Sequence, residues 1–252
     1  MHANNTVLRH LEKSLAKTTM VFEYTRVVAK NIGDRSGTRH EGQNFKDYVD
    51  GLNGPEFLRI RSLTGVRFCE LINDSAKHIK NFELVKDFVE SREYGNWFKR
   101  EYSQMTEKQS FQFVQIDLAV LNLFNTFFFN PAYKAAVLPE TESDSQVKYY
   151  RDLLAKVLDV LKLDCSECFE IMLKADELPF ISKFYQPDGI QLEALDFFEE
   201  LDDQQMSRVL LMVGKIKEVV IRSILLTNST LLQIDCNNIF DKADLHNNAC
   251  ER

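Results

Sequence analysis

The sequence is short of the residues that make tight turns. Nine glycines and five prolines punctuate 252 residues, which is few for a chain of many short β-strands joined by turns. No segment alternates apolar and polar residues between turn signals for the length of a strand. Five cysteines, Cys69, Cys165, Cys168, Cys236 and Cys250, form an odd and scattered set that does not read as a disulfide framework. The start of the chain, MHANNTVLRHLEKSLAK, lacks an apolar core followed by a small-residue cleavage site. A reducing, cytoplasmic setting is therefore expected. Motifs for common chemistries are also missing. There is no G-x-x-x-x-G-K-[ST], no G-x-G-x-x-G after a strand, no G-x-S-x-G and no H-E-x-x-H, so the usual nucleotide-hydrolysing, dinucleotide and serine-hydrolase sites are not expected. None of the five histidines, His2, His10, His40, His78 and His246, has a glutamate three residues before it, which argues against a di-iron carboxylate bundle. No cofactor is expected. The formal net charge of -7 disfavours nucleic-acid binding by the overall field, though a local site remains open.

What the sequence has is helical periodicity, centred on Thr106–Pro131, TEKQSFQFVQIDLAVLNLFNTFFFNP. Thr106-x-x-Gln109 has the spacing of a capping box, and Asn130-Pro131 marks an end, because the residue before a proline is pushed out of the helical region. Nearly every side of this helix is apolar, which predicts burial on most of its surface. A membrane span needs about 20 consecutive apolar residues with few or no charges. Gln112, Gln115, Asp117, Asn122 and Asn125 interrupt this one, so a core helix is expected and no span. Asp117 reads either as a buried acid with a shifted pKa or as a carboxylate satisfied by a basic or backbone donor.

The other periodic stretches complete an all-α fold, a bundle of roughly eight to ten helices around the Phe-rich central one. A single first helix is predicted from Thr6 to about Asn31, then helices over 45–52, 55–80 and 82–89. After the central helix come a short piece from Ala132 to Val137 and helices over 147–163, 165–175 and 190–201. A last long helix, capped by Asp202 or Asp203, runs to about Asn228. Residues 1–252 read as one domain, with a subdomain boundary near 138–146, in the linker LPETESDSQ. The polar segment 235–252 is expected to be mobile.

Two features point towards function. Between Asn31 and Asn44, Arg35, Arg39 and His40 put cationic side chains on glycine-flanked backbone, suited to phosphate or RNA binding. Arg35 to His40 also resembles the R-x4-H pattern of the HEPN family of helical ribonucleases. That resemblance implies a dimeric, metal-independent ribonuclease with Arg35 and His40 in its active site; the alternative is a solvated loop. The second feature is charge segregation. From Arg26 to Lys80 there are ten Lys/Arg against seven Asp/Glu, and from Glu140 to Gln205 six against seventeen. A basic front and an acidic back can orient a protein partner or favour homo-oligomers.

Lesser signals complete the survey. Cys165-x-x-Cys168 has metal or redox spacing, and His246 with Cys250 could complete a zinc site; the alternative is ordinary thiols. The acidic run from Glu199 to Asp203 is explained by helix capping and the macrodipole rather than by a magnesium cluster. The aromatic segment FISKFY, 180–185, suits a membrane surface. The leading expectation is a helical protein-interaction protein, an adaptor or a regulatory or structural subunit. The alternative is RNA binding or cleavage at the Arg35–His40 loop.

Overall fold

The computed structural model describes residues 2–33, 41–52, 58–60, 72–93, 95–137, 146–183 and 185–233. Among these residues there is no strand, and the chain is an all-α bundle. Its contacts fall into two compact units. One comprises Leu15–Asn122 and Gly189–Val209; the other comprises Met1–Ser14, Leu123–Asp188 and Leu210–Arg252. The division runs through two long helices. The linker proposed as a boundary falls almost wholly outside the described residues, and so does the tail 235–252.

The first unit is built on an aromatic core. Its helices are α2 (Val21–Ile32), α3 (Glu41–Gly51), α4 (Ser75–Lys80), α5 (Phe82–Glu90), α6 (Trp97–Thr106) and the start of α7 (Phe111–Phe124). α2 buries Phe22, Tyr24, Val28 and Ile32 and packs against α3 and α6. Tyr24 lies 5.3 Å from Phe82, Tyr102 stacks on Phe111 at 4.4 Å, and Phe45 meets Phe88 edge-on at 4.9 Å. Such ring pairs add about 0.5–1.5 kcal/mol each beyond the area they bury. Asn96 caps α6 by accepting hydrogen bonds from the backbone N–H groups of Phe98 and Lys99.

The single helix expected from Thr6 to Asn31 is two helices, α1 (His2–Leu15) and α2. Backbone donors between them take side-chain partners instead of helical carbonyls. The Val21 N–H donates to Thr19 Oγ1 at 3.1 Å, and the Met20 N–H to Gln109 Oε1 at 2.8 Å. Threonine is suited to this competition with the helical ladder. Gln109 is thereby absent from the capping box that its spacing suggested. Thr106 instead ends α6, its hydroxyl donating to the Ser103 carbonyl at 2.7 Å, and α7 begins at Phe111.

Pro131 does not stop the central helix either. After Phe124 the chain widens into a π-helical turn, Asn125–Phe129, in which the Asn130 N–H bonds the Asn125 carbonyl, and it continues as α8 (Asn130–Val137). A proline inside a regular helix loses one hydrogen bond and clashes with the carbonyl four residues earlier. The extra residue in the widened turn accommodates Pro131 at the start of α8, and the helix passes through. Phe111–Ala136 is long and apolar enough to cross a membrane, but 78% of its most apolar window is buried within the protein.

The second unit pairs α8 with α9 (Gln146–Leu161). α9 buries Tyr150, Leu153, Leu154, Val157, Leu158 and Leu161, the stripe its periodicity predicts. α10 (Cys165–Leu173) follows, then a 3-10 turn over Ala175–Glu177 and the short α11 (Pro179–Ser182). The helix expected over 190–201 is split into α12 (Gly189–Glu193) and a 3-10 turn, Asp196–Glu200, both in the first unit. The last helix, α13 (Asp203–Gln233), begins in the first unit and contributes Met212, Val213, Ile216, Val220 and Ile224 to the core of the second.

The start of α13 is fixed by a reciprocal cap. Asp202 Oδ1 accepts the Gln205 N–H at 2.8 Å, and Gln205 Oε1 accepts the Asp202 N–H at 2.7 Å. Asp202→Ala removes half of this arrangement and is expected to cost about 1 kcal/mol. Urea denaturation measures it; an unchanged midpoint would mean that packing alone sets the helix start.

Candidate functional site

Asp117 is placed on α7 with no exposed surface. Arg208, from the second turn of α13, donates to it from Nε at 2.9 Å and from Nη2 at 2.6 Å. Thr19 Oγ1 donates to Oδ2, and Gln109 Nε2 donates to the same oxygen at 3.1 Å. Arg208 Nη2 also reaches the Thr18 carbonyl at 3.0 Å. Burial pushes the Asp117 carboxyl above the ordinary carboxylate value, and the hydrogen bonds and charge of Arg208, with Thr19 and Gln109, oppose that shift. Both carboxylate oxygens are engaged, so this is a tie between the 16–20 turn, α7 and α13 rather than a reactive acid. Sequence reasoning singled out Asp117 but missed its partner. A signal existed: Arg208 is the only Lys or Arg between Lys183 and Lys215.

In the same unit, several buried polar groups have no hydrogen-bond partner among the described residues. The Tyr24 and Tyr102 hydroxyls and His78 Nδ1 are all of this kind, and the rings are neighbours, with Tyr24 5.9 Å from His78 and 6.2 Å from Tyr102. Burial raises both tyrosine pKa values. It lowers that of His78 to about 4, with Asp74 opposing the shift and Lys77 assisting it. His78 is thus neutral at pH 7. In the other unit, Asn125 opens the π-helical turn with both side-chain polar atoms buried and unpartnered. Each such group costs about 1–3 kcal/mol.

The charge segregation read from the sequence divides unevenly over the structure. On the basic side, Lys30 pairs with Glu101 at 2.7 Å, Lys77 with Asp74 at 3.3 Å and Lys80 with Glu193 at 2.8 Å. These cations are already opposed by carboxylates. Arg35, Arg39 and His40 lie outside the described residues. On the acidic side, Glu193, Asp196, Glu199, Glu200, Asp202 and Asp203 are all exposed. No Lys, Arg or His stands among residues 193–203. Short elements present them: the end of α12, the 3-10 turn and the first residues of α13. Phe197 and Leu201 are partly exposed between them.

Cys165 and Cys168 open α10, with Cys165 partly exposed and Cys168 buried. Their suggested zinc partners, His246 and Cys250, lie outside the described residues. Among those described, no group of three or more metal-binding side chains occurs. Of the FISKFY segment, Phe180 and Tyr185 are partly exposed and Ile181 is buried; Lys183 Nζ stands 4.0 Å from the centre of the Tyr149 ring.

No family model, curated protein or solved structure matches this chain.

Proposed function

We propose that the chain is a cytoplasmic helical interaction protein, an adaptor or a regulatory or structural subunit, and that a basic segment of a protein partner docks on Glu193–Asp203. The observation that carries this reading is the set of five exposed carboxylates, Asp196, Glu199, Glu200, Asp202 and Asp203, that follow the Lys80-paired Glu193 in an eleven-residue stretch whose sequence contains no cation. Holding like charges this close is unfavourable in the free protein, and a basic partner relieves it. The partly exposed Phe197 and Leu201 offer apolar contact within the same patch, and buried aromatic anchors supply most of the affinity in many interfaces. The ion-paired basic side makes self-association through Lys30, Lys77 or Lys80 the weaker version of this proposal. The ribonuclease reading of Arg35 and His40 draws on no described residue.

The test is charge reversal. Glu199→Lys, Glu200→Lys and Asp203→Lys together are expected to remove a stoichiometric partner from affinity purifications while leaving the helical circular dichroism unchanged. A variant that retains the partner at the wild-type ratio would overturn the proposal.

A further inference from the structure

We propose that Cys165 and Cys168 form a reversible thiol–disulfide pair that exchanges with small-molecule disulfides of the glutathione class. The pair stands at the start of a nine-residue helix. Cys165 occupies the first helical position and is partly exposed, whereas Cys168 is buried one turn later. Asp164 holds the turn by accepting the Ser166 and Glu167 N–H groups at 2.8 and 2.9 Å on Oδ1. The Cys168 N–H closes it on the Asp164 carbonyl at 3.0 Å.

Three features of the surroundings suit exchange. Gly214 of α13 faces Cys165: a Cβ built there would lie 3.2 Å from Sγ, so glycine leaves room for the sulfur. Lys217, one turn further along α13, donates to the Leu163 carbonyl at 2.5 Å, which holds an ammonium beside the start of α10. Burial pushes the Cys168 thiol up to about 11, against the pull of Lys217. The two residues therefore differ in role: Cys165 is the partly exposed member that meets the disulfide first, and Cys168 stays a protonated thiol until a neighbouring disulfide forms.

Cβ atoms three residues apart on a helix are about 5–6 Å apart, and a disulfide needs about 3.5–4.5 Å. The turn must tighten, and Cys165, at the first helical position beside the Asp164 cap, is the end of the pair at the helix terminus. In the proposed reaction the Cys165 thiolate attacks one sulfur of oxidised glutathione, forming a mixed disulfide and expelling one glutathione thiolate. Cys168 Sγ then loses its proton and attacks Cys165 Sγ. The mixed S–S bond breaks, the Cys165–Cys168 bond forms, and a second glutathione leaves. The protein dithiol is oxidised, the glutathione disulfide is reduced to two thiols, and the two thiol protons end on them. A zinc site would need further ligands; this chemistry needs only the two sulfurs.

The experiment uses the full chain, incubated without oxygen in excess oxidised glutathione, acid-quenched, alkylated and digested. Trypsin releases both cysteines in one peptide, 163–174, that holds no other cysteine. The expected result is that this peptide loses two hydrogens and recovers them with dithiothreitol. In Cys168→Ser a glutathione adduct is expected to persist on Cys165. In Cys165→Ser no adduct is expected on Cys168, because that thiol is buried. With limiting iodoacetamide and no oxidant, Cys165 is expected to react about tenfold or more faster than Cys168. A wild-type peptide that remains a dithiol would overturn the proposal, and so would equal alkylation rates. The wild-type measurements stand even where a serine variant fails to fold.

Discussion

Asp117→Ala is expected to cost about 3–5 kcal/mol, the usual loss when one member of a buried ion pair is removed. The Arg208 side chain is only 12% exposed, so its charge would stay largely desolvated, with the Thr18 carbonyl as its remaining acceptor among the described residues. The Thr19 hydroxyl and Gln109 amide would lose their shared acceptor as well. Arg208→Ala should be comparably severe, because it leaves a carboxylate with no exposed surface and no cation. The double variant Asp117→Leu with Arg208→Met should cost less than either single change, since replacing both charges removes the desolvation penalty along with the pairing. Urea denaturation of all four proteins tests this order of stabilities. An Asp117→Ala loss below about 1 kcal/mol, the worth of an exposed pair, would mean that the tie does not hold the 16–20 turn, α7 and α13 together.

Lowering the pH from 7 to 4 is expected to remove about 3 kcal/mol of stability through His78 alone, from about 1.4 kcal/mol per pKa unit. The folded-state pKa is depressed, from 6.5 to about 4. Above 6.5 the imidazole is neutral in both states and the full stability is present. Between 6.5 and about 4 the unfolded chain takes up a proton that the folded chain refuses, so stability falls with pH, and it levels off below about 4. Asp117 acts in the opposite sense, since a raised carboxyl pKa favours the folded state as that group protonates. The difference between wild type and His78→Leu isolates the histidine. At pH 7 the variant should be near neutral, because it also removes an unpartnered buried nitrogen. Parallel stability profiles for the two proteins from pH 7 to 4 would contradict this.

The architecture was legible in the sequence where one unbroken helix face carried the signal, as in α9. Leu153, Leu154, Val157, Leu158 and Leu161 are buried as their spacing predicts, and Asp202 caps α13 as its position before an apolar stripe suggests. Boundaries set by long-range partners were not legible. The break after Leu15 depends on Gln109, some ninety residues away, taking the Met20 N–H. That same engagement removes Gln109 from the capping box that local spacing indicated. Pro131 reads as a helix end because a regular helix cannot accommodate it there, and only the π-helical turn beginning at Asn125 lets the chain continue. Asp117 could be picked out as an anomaly on an apolar helix, but its partner lies ninety-one residues further on. The Tyr24–His78–Tyr102 group left no local trace, because its members come from three separate helices.

The central claim is that the exposed carboxylates from Glu193 to Asp203 recognise a basic partner. The most direct measurement is the salt dependence of the purified complex, compared between the wild-type chain and Glu199→Lys/Glu200→Lys/Asp203→Lys. At physiological ionic strength charges are screened over about 8 Å, and at 1 M over about 3 Å. The account predicts wild-type affinity that falls steeply with salt, and a variant that binds weakly at low salt with little further dependence. Equal affinities with equal salt slopes would contradict it and would place the interaction on another face of the bundle.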